Sequence, residues 1–148
     1  MPARMRSGWA VIGDTRHLPG YCVLLHDGDA DHLTDPGRRE RAEFMFDLAL
    51  LGEAVQHACS DADPGFLRVN YEVLGNPLPL LHGHVHARYA WEPDALRHGP
   101  VRRYPDRGEP RFRLDERHDD LRAALTRALE RITAETYAEG PGGTRVPR

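Results

Sequence analysis

The stretch His82-Gly83-His84-Val85-His86-Ala87-Arg88-Tyr89 decides how this chain is read. Side chains on a β-strand point alternately to opposite faces. His82, His84, His86 and Arg88 therefore share one face, and Val85, Ala87 and Tyr89 share the other. Same-face neighbours stand roughly 7 Å apart, two strand rises. Three imidazoles and a guanidinium make a poor wall for a hydrophobic core, whereas the opposite face can pack.

Upstream of this strand, residues 66 to 74 alternate Leu67, Val69, Tyr71 and Val73 against Arg68, Asn70 and Glu72, and Gly75-Asn76-Pro77 closes the run. That pattern predicts a second strand with one polar face, paired antiparallel with the first. Trp9 to Ile12 and Tyr21 to Leu25 are short apolar runs that predict two more strands. Between residues 38 and 59, Phe44, Leu48, Leu51, Val55 and Ala58 recur at intervals of four and three, which marks one face of a long helix. Asp27-Gly28-Asp29-Ala30-Asp31 opens like a calcium loop. His32 then stands where glycine is required and Arg38 where glutamate is required, so it reads as an ordinary loop.

Downstream, residues 91 to 114 carry Pro93, Gly99, Pro100, Pro105, Gly108 and Pro110 among scattered charges, which predicts a loop-rich arm, either an ordered excursion or a flexible one. Residues 115 to 139 hold Leu121, Leu125, Ala128 and Ile132 at helical spacing, before Gly140-Pro141-Gly142-Gly143 ends the pattern. The last nine residues are expected to fray. The expected fold is α+β, an antiparallel sheet with one long helix packed on it and a C-terminal helix. The 148 residues suit one domain, with a core over about 9 to 90, the arm over 91 to 114 and the helix over 115 to 139.

Composition narrows the chemistry. All 20 basic residues are arginine, set against 23 acidic ones for a net charge of −3, too balanced for a protein that lives on nucleic acid or on an anionic membrane. The absence of lysine removes the Walker A lysine, the lysine Schiff base and the lysyl-nucleotide intermediate. Two cysteines, Cys22 and Cys59, without C-x-x-C spacing argue against structural zinc and a disulfide framework. With no signal-peptide pattern at the N-terminus and no apolar run near 18 residues, a cytoplasmic setting is expected.

An imidazole that is neutral at neutral pH is nucleophilic, and its phosphorylated form is labile, so a histidine can relay a phosphoryl or nucleotidyl group. Its neighbours can fix its tautomer, protonate a leaving oxygen and donate to phosphate oxygens. On the residues alone, two other readings stay open: a solvated strand face, and a metal site in which H-x-H is completed by a third nitrogen, although Arg88 beside it opposes a cation.

The H-x-H-x-H strand resembles the histidine triad (HIT) superfamily of nucleotide hydrolases and transferases. So do the Val69-Asn70 strand before it, the Gly20-Tyr21-Cys22-Val23 strand and His32-Leu33-Thr34-Asp35. The resemblance spans residues 9 to 90 and points toward the diadenosine polyphosphate hydrolases. It implies that His84 is the nucleophile on the nucleotide α-phosphate. By the same resemblance His86 lies near the leaving oxygen, His82 belongs to the hydrogen-bond chain that orients the nucleophile, and His32 lies beside the triad. It further implies Asn70 at the phosphate, a nucleotide or dinucleotide as substrate, no cofactor and a homodimer. Asn76 and Arg88 are added as substrate-binding candidates, Arg88 because its planar fork of donors lies two rises beyond His86, with pairing to a carboxylate such as Glu72 or Glu92 as its alternative. The chain departs from the family at Gly83 and Ala87, where large apolar residues are usual. It also lacks the Pro-Arg that follows the triad in the hydrolase branch. Pro77-Leu78-Pro79-Leu80-Leu81 stands where many members carry phosphate-contacting polar residues, which leaves a nucleotide-binding regulator with weak or no turnover as an alternative.

The remaining histidines read more simply. His17, His57, His98 and His118 are isolated and expected at the surface, and His26 ends a strand. Cys22 lies in an apolar run and is expected in the core. Arg102, Arg103, Arg111 and Arg113 are expected on a solvated loop, with a second phosphate or another subunit as the alternative partner.

Overall fold

A computed structural model describes residues 2–138 apart from Arg16 and Pro77, so the glycine-rich end and the last nine residues lie outside the described residues. The strands are β1 (Ala3–Arg4), β2 (Gly8–Ile12), β3 (Cys22–His26), β4 (Phe66–Glu72) and β5 (His82–Tyr89), all antiparallel in the order β1-β2-β3-β5-β4. The expected α+β fold is present, with β5 inserted between β3 and β4. β1 was not expected. Two residues carry too little periodicity to register, and Ala3 and Arg4 are extended because they pair with Ala10 and Trp9. β4 stops at Glu72, two residues short of the alternating run.

Helix α1 (Arg38–Ala62) runs three residues beyond its apolar pattern and ends where Asp63 turns extended before Pro64, which cannot continue a helix. Its buried stripe, Phe44, Leu48, Leu51 and Val55, meets Leu24 on β3 and Val85 and Ala87 on β5 in one core. Gly83 belongs to that contact, since a Cβ there would stand 2.6 Å from the Leu48 side chain. The departure at Gly83 is thus the space that brings α1 down onto the histidine strand. Helix α3 (Asp119–Ala138) follows a 3-10 turn capped by Asp115, and packs Leu125, Leu129 and Ile132 into the same core.

The arm is an ordered excursion, made of the short helix α2 (Asp94–Arg97) and 3-10 turns over Val101–Arg103 and Pro110–Phe112. A bridge from Thr15 to Arg113, and a bond in which Leu114 N–H donates to the Asp14 carbonyl, tie it to the loop after β2. Among the described residues no helix is long and apolar enough to cross a membrane.

Candidate active site

Register builds the site. Across β4 and β5, Glu72 stands opposite His84 and Asn70 opposite His86, and across β3 and β5 Val23 stands opposite His84. Tyr21, just before β3, extends that ladder to His86. Partners directly opposite share a face, so Tyr21, Glu72 and Asn70 join the three histidines on the side away from α1. The arm closes over this face. His82, His84, His86, Tyr21, Glu72 and Asn76 share a cavity of about 540 Å³ with Arg102 and Arg107 from the arm. Asp14, Thr15 and His17 complete its rim.

The imidazoles stand as a ladder. His84 and His86 stack with centroids 5.9 Å apart, and His82 meets His84 edge-on at 4.8 Å. Nδ1 of His82 lies 2.6 Å from the Leu80 carbonyl oxygen, which can only accept, so His82 donates from Nδ1. Nδ1 of His84 lies 2.8 Å from the Tyr21 hydroxyl. The Tyr21 ring also stacks on His86 at 4.6 Å. His86 is 6% exposed, with Nε2 3.7 Å from a Glu72 carboxylate oxygen.

Electrostatics favour the neutral forms of His84, His86 and Tyr21. Burial, then His82 and Arg107, lower the pKa of His84. Burial, then the neighbouring His84 and His17, push His86 down to about 3. Burial pushes the Tyr21 phenol up to about 12. Arg107 opposes protonation of His17, His84 and His86 alike, as a cation in one cavity with them must.

Several expectations are corrected by this geometry. Arg88 is 3% exposed, and its guanidinium is bound within the protein. Its Nε and Nη2 fork the Glu92 carboxylate at 2.9 and 2.8 Å, and its remaining donors reach the Gly99 and Arg97 carbonyls at 2.9 and 3.0 Å. Burial works against the Glu92 charge, but Arg88 and the Tyr104 hydroxyl outweigh it and hold the carboxyl below its usual range. The buried fork is spent on clasping the arm. A carboxylate four residues on, followed by carbonyls of a folded-back loop, outcompetes a solvated phosphate for it.

His32 does not line this cavity. It lies beside Asp31 with its side chain 67% exposed, on a separate pocket of about 150 Å³ that His82 borders from the other side. Asn70 faces a neighbouring groove of about 890 Å³ bounded by β4 and residues 97 to 100, with Glu72 shared between that groove and the cavity. Asn76 does line the cavity.

His17 is no surface histidine. It sits between Tyr104 and Phe112, Nδ1 lies 3.0 Å from Thr15 Oγ1, and Nε2 is buried with no hydrogen-bond partner among the described residues. His26 turns to the opposite face, edge-on to Phe44 with Glu40 3.3 Å away. His118 takes part in the cap before α3. His57 and His98 are exposed. Cys22 is buried in the core.

Tyr21, Glu72, His17 and Arg107 are the site residues that sequence reading passed over. Only Glu72 carried a signal, as a member of the polar face of β4. The rungs of the histidine ladder do not converge on a point, and among the described residues no group of three or more His, Cys, Asp or Glu side chains is arranged to hold a metal ion.

No family model matches the chain's sequence, and no curated protein matches it. Solved structures do match in three dimensions. A histidine triad (HIT) protein from Sinorhizobium meliloti superposes with a TM-score of 0.68 at 21% identity, over 86% of this chain and 85% of that one. A histidine triad protein from Marinobacter aquaeolei gives 0.64 at 17% identity, over 89% and 86% of the two chains. One from Bradyrhizobium japonicum gives 0.57 at 19% identity, over 89% and 88%. The order of strands, the long helix behind them and the histidine-bearing central strand together give this chain the fold of the histidine triad proteins.

Proposed function

We propose that the chain is a histidine triad enzyme that hydrolyses or transfers at the α-phosphate of a nucleotide, through a covalent nucleotidyl group on His84. The observation that carries this reading is the shared cavity: a neutral imidazole, His84, faces the same enclosed space as two arginines, Arg102 and Arg107. A neutral nucleophile beside cations is what attack on a phosphate ester needs, because the substrate charge is screened and the nucleophile is not protonated.

In this mechanism the Nε2 lone pair of His84 forms a bond to the α-phosphorus. The bond from phosphorus to the bridging oxygen breaks, and its electron pair leaves with that oxygen. Water then attacks phosphorus, the N–P pair returns to Nε2, and the water proton passes to solvent or to the departing group. His82 backs the nucleophile. Asn76 at the cavity rim and Asn70 in the adjoining groove flank the phosphate chain, and His32 acts only from behind His82.

The leaving group we favour is a phosphate chain, as in a dinucleoside polyphosphate. Arg102 and Arg107 offset its charge, and it can depart without a proton. An amine leaving group needs one, and His86, held neutral, donates a hydrogen bond without carrying a spare proton at neutral pH. We also propose a homodimer. β4 is an edge strand with Leu67 53% and Tyr71 48% exposed, an edge that folded proteins usually cover.

Intact mass after brief mixing with a panel of nucleotides tests the reading. A nucleoside-monophosphate adduct is expected on the wild type and none on His84→Ala, whose turnover should fall by roughly a thousandfold or more while nucleotide affinity stays within about tenfold. A His84→Ala protein that turns over at the wild-type rate refutes the covalent mechanism.

A further inference from the structure

Tyr21 occupies a place that the sequence pattern leaves silent. It immediately precedes β3, whose first residue, Cys22, pairs with Val85, so the tyrosine falls opposite His86 on the face of the three histidines. Its hydroxyl lies 2.8 Å from His84 Nδ1 and its ring is nearly parallel to that of His86, with 7° between the planes. One side chain therefore touches two rungs of the ladder.

The fold holds that side chain in place from behind. Gly13 N–H donates to the Tyr21 carbonyl at 2.9 Å, and a Cβ on Gly13 would stand 2.0 Å from the Tyr21 ring. The glycine just after β2 leaves the space in which the ring lies. A tyrosine seated in a glycine cradle, stacked on one imidazole and bonded to the next, has little rotational freedom.

We propose that Tyr21 is the positioning residue of the nucleophile: its hydroxyl accepts the Nδ1 proton of His84 and so leaves the Nε2 lone pair bare toward the cavity. The inference rests on His84 being the nucleophile, as set out above. A single neutral imidazole carries one proton, and whichever nitrogen bears it cannot attack. His82 has its tautomer dictated by a carbonyl oxygen, but His84 has a hydroxyl, which has both a proton to give and lone pairs to accept with. The same oxygen continues to accept from Nδ1 when the N–P bond forms and the ring becomes a cation. The contact then strengthens as positive charge develops, so its effect belongs to the chemical step rather than to substrate binding. Burial keeps the phenol neutral throughout, so the site gains no negative charge against the incoming phosphate.

Tyr21→Phe keeps the ring and its stack and removes only the hydroxyl. Nitrogen-15 NMR of the imidazoles in the full-length protein should show His84 protonated at Nδ1 in the wild type and a mixture of tautomers in Tyr21→Phe. Steady-state kinetics on a dinucleoside polyphosphate should show kcat lower by about tenfold or more, the scale expected when the partner that orients a reacting imidazole is lost, with KM within about twofold. A wild-type His84 protonated at Nε2, or a Tyr21→Phe protein with unchanged tautomer and unchanged kcat, overturns the proposal. If the wild type turns over no nucleotide, the functional reading falls while the NMR comparison still decides what Tyr21 does to His84.

Discussion

The cavity has a wall and a roof, and they are held by different physics. The wall is the histidine face of β5 with its neighbours on β3 and β4, where ladders to β3 over residues 82 to 85 and to β4 over residues 84 to 89 hold the side chains at a two-residue period. The roof is the arm over residues 91 to 114, which has only short helical turns and is held by side chains and a few backbone bonds to the loop after β2. Arg88 is the joint between them. It stands on the wall strand one alternation beyond His86, yet its guanidinium binds Glu92 and carbonyls of the arm, while Tyr104 donates to the same Glu92 carboxylate at 2.6 Å. The difference teaches that the wall is held by strand pairing, whereas the roof leans on a buried ion pair together with a few bonds to the loop after β2.

Breaking that pair should have the largest effect on the comparison. Arg88→Met leaves the Glu92 carboxylate, whose side chain is 0% exposed, without its counter-charge. A loss of about 3–5 kcal/mol is expected from removing one partner of a buried pair. Chemical denaturation measures the loss, and hydrogen exchange should show amides of residues 91 to 114 exposed while those of β3 and β5 stay protected. Equal exposure of both regions would mean that wall and roof unfold as one unit.

Acid should attack the wall instead. His86 is depressed to about 3, and His17 and His84 are also lowered, so between about pH 6.5 and the folded-state values the unfolded chain binds more protons than the native one. Stability therefore falls as pH drops through that window. Glu92, whose folded pKa is depressed, adds a loss that begins near the ordinary carboxylate pKa and is complete only once pH has fallen through its folded value. The melting temperature should decline on going from pH 7 to 5, at about 4 °C per kcal/mol for a chain of this size, and His86→Gln should flatten the decline. A melting temperature that stays level over that range contradicts neutral burial of the ladder.

The smallest effect sharpens the role of the roof. Arg107→Gln removes a cation whose backbone carbonyl is held by Thr15 at 3.0 Å, so the loop has an anchor that does not need the guanidinium. KM for a dinucleoside polyphosphate should rise by roughly tenfold, the scale of one charge-assisted hydrogen bond, with little change for a nucleoside phosphoramidate. Equal changes for the two substrates would assign Arg107 to general attraction of anions rather than to the leaving group.

What the sequence determined by itself is the part written in short periods. Alternation over residues 82 to 89 and 66 to 72 gave two adjacent strands and the face on which His82, His84 and His86 stand. Spacing of four and three gave α1, and helical spacing gave α3 to within a few residues, because those patterns are set by backbone geometry that each segment carries alone. What only the tertiary structure decided is which distant groups meet that face. Nothing local says that Arg88 will prefer Glu92 to a ligand, that His32 will lie outside the cavity, or that His17 and Arg107 will lie within it. Nor does the pattern at residues 19 to 25 reveal that Tyr21 will bond His84, since the partner is 63 residues away and arrives only through strand register. Alternation tells which way a side chain points, while the choice among competing partners is made by burial, charge and chain closure.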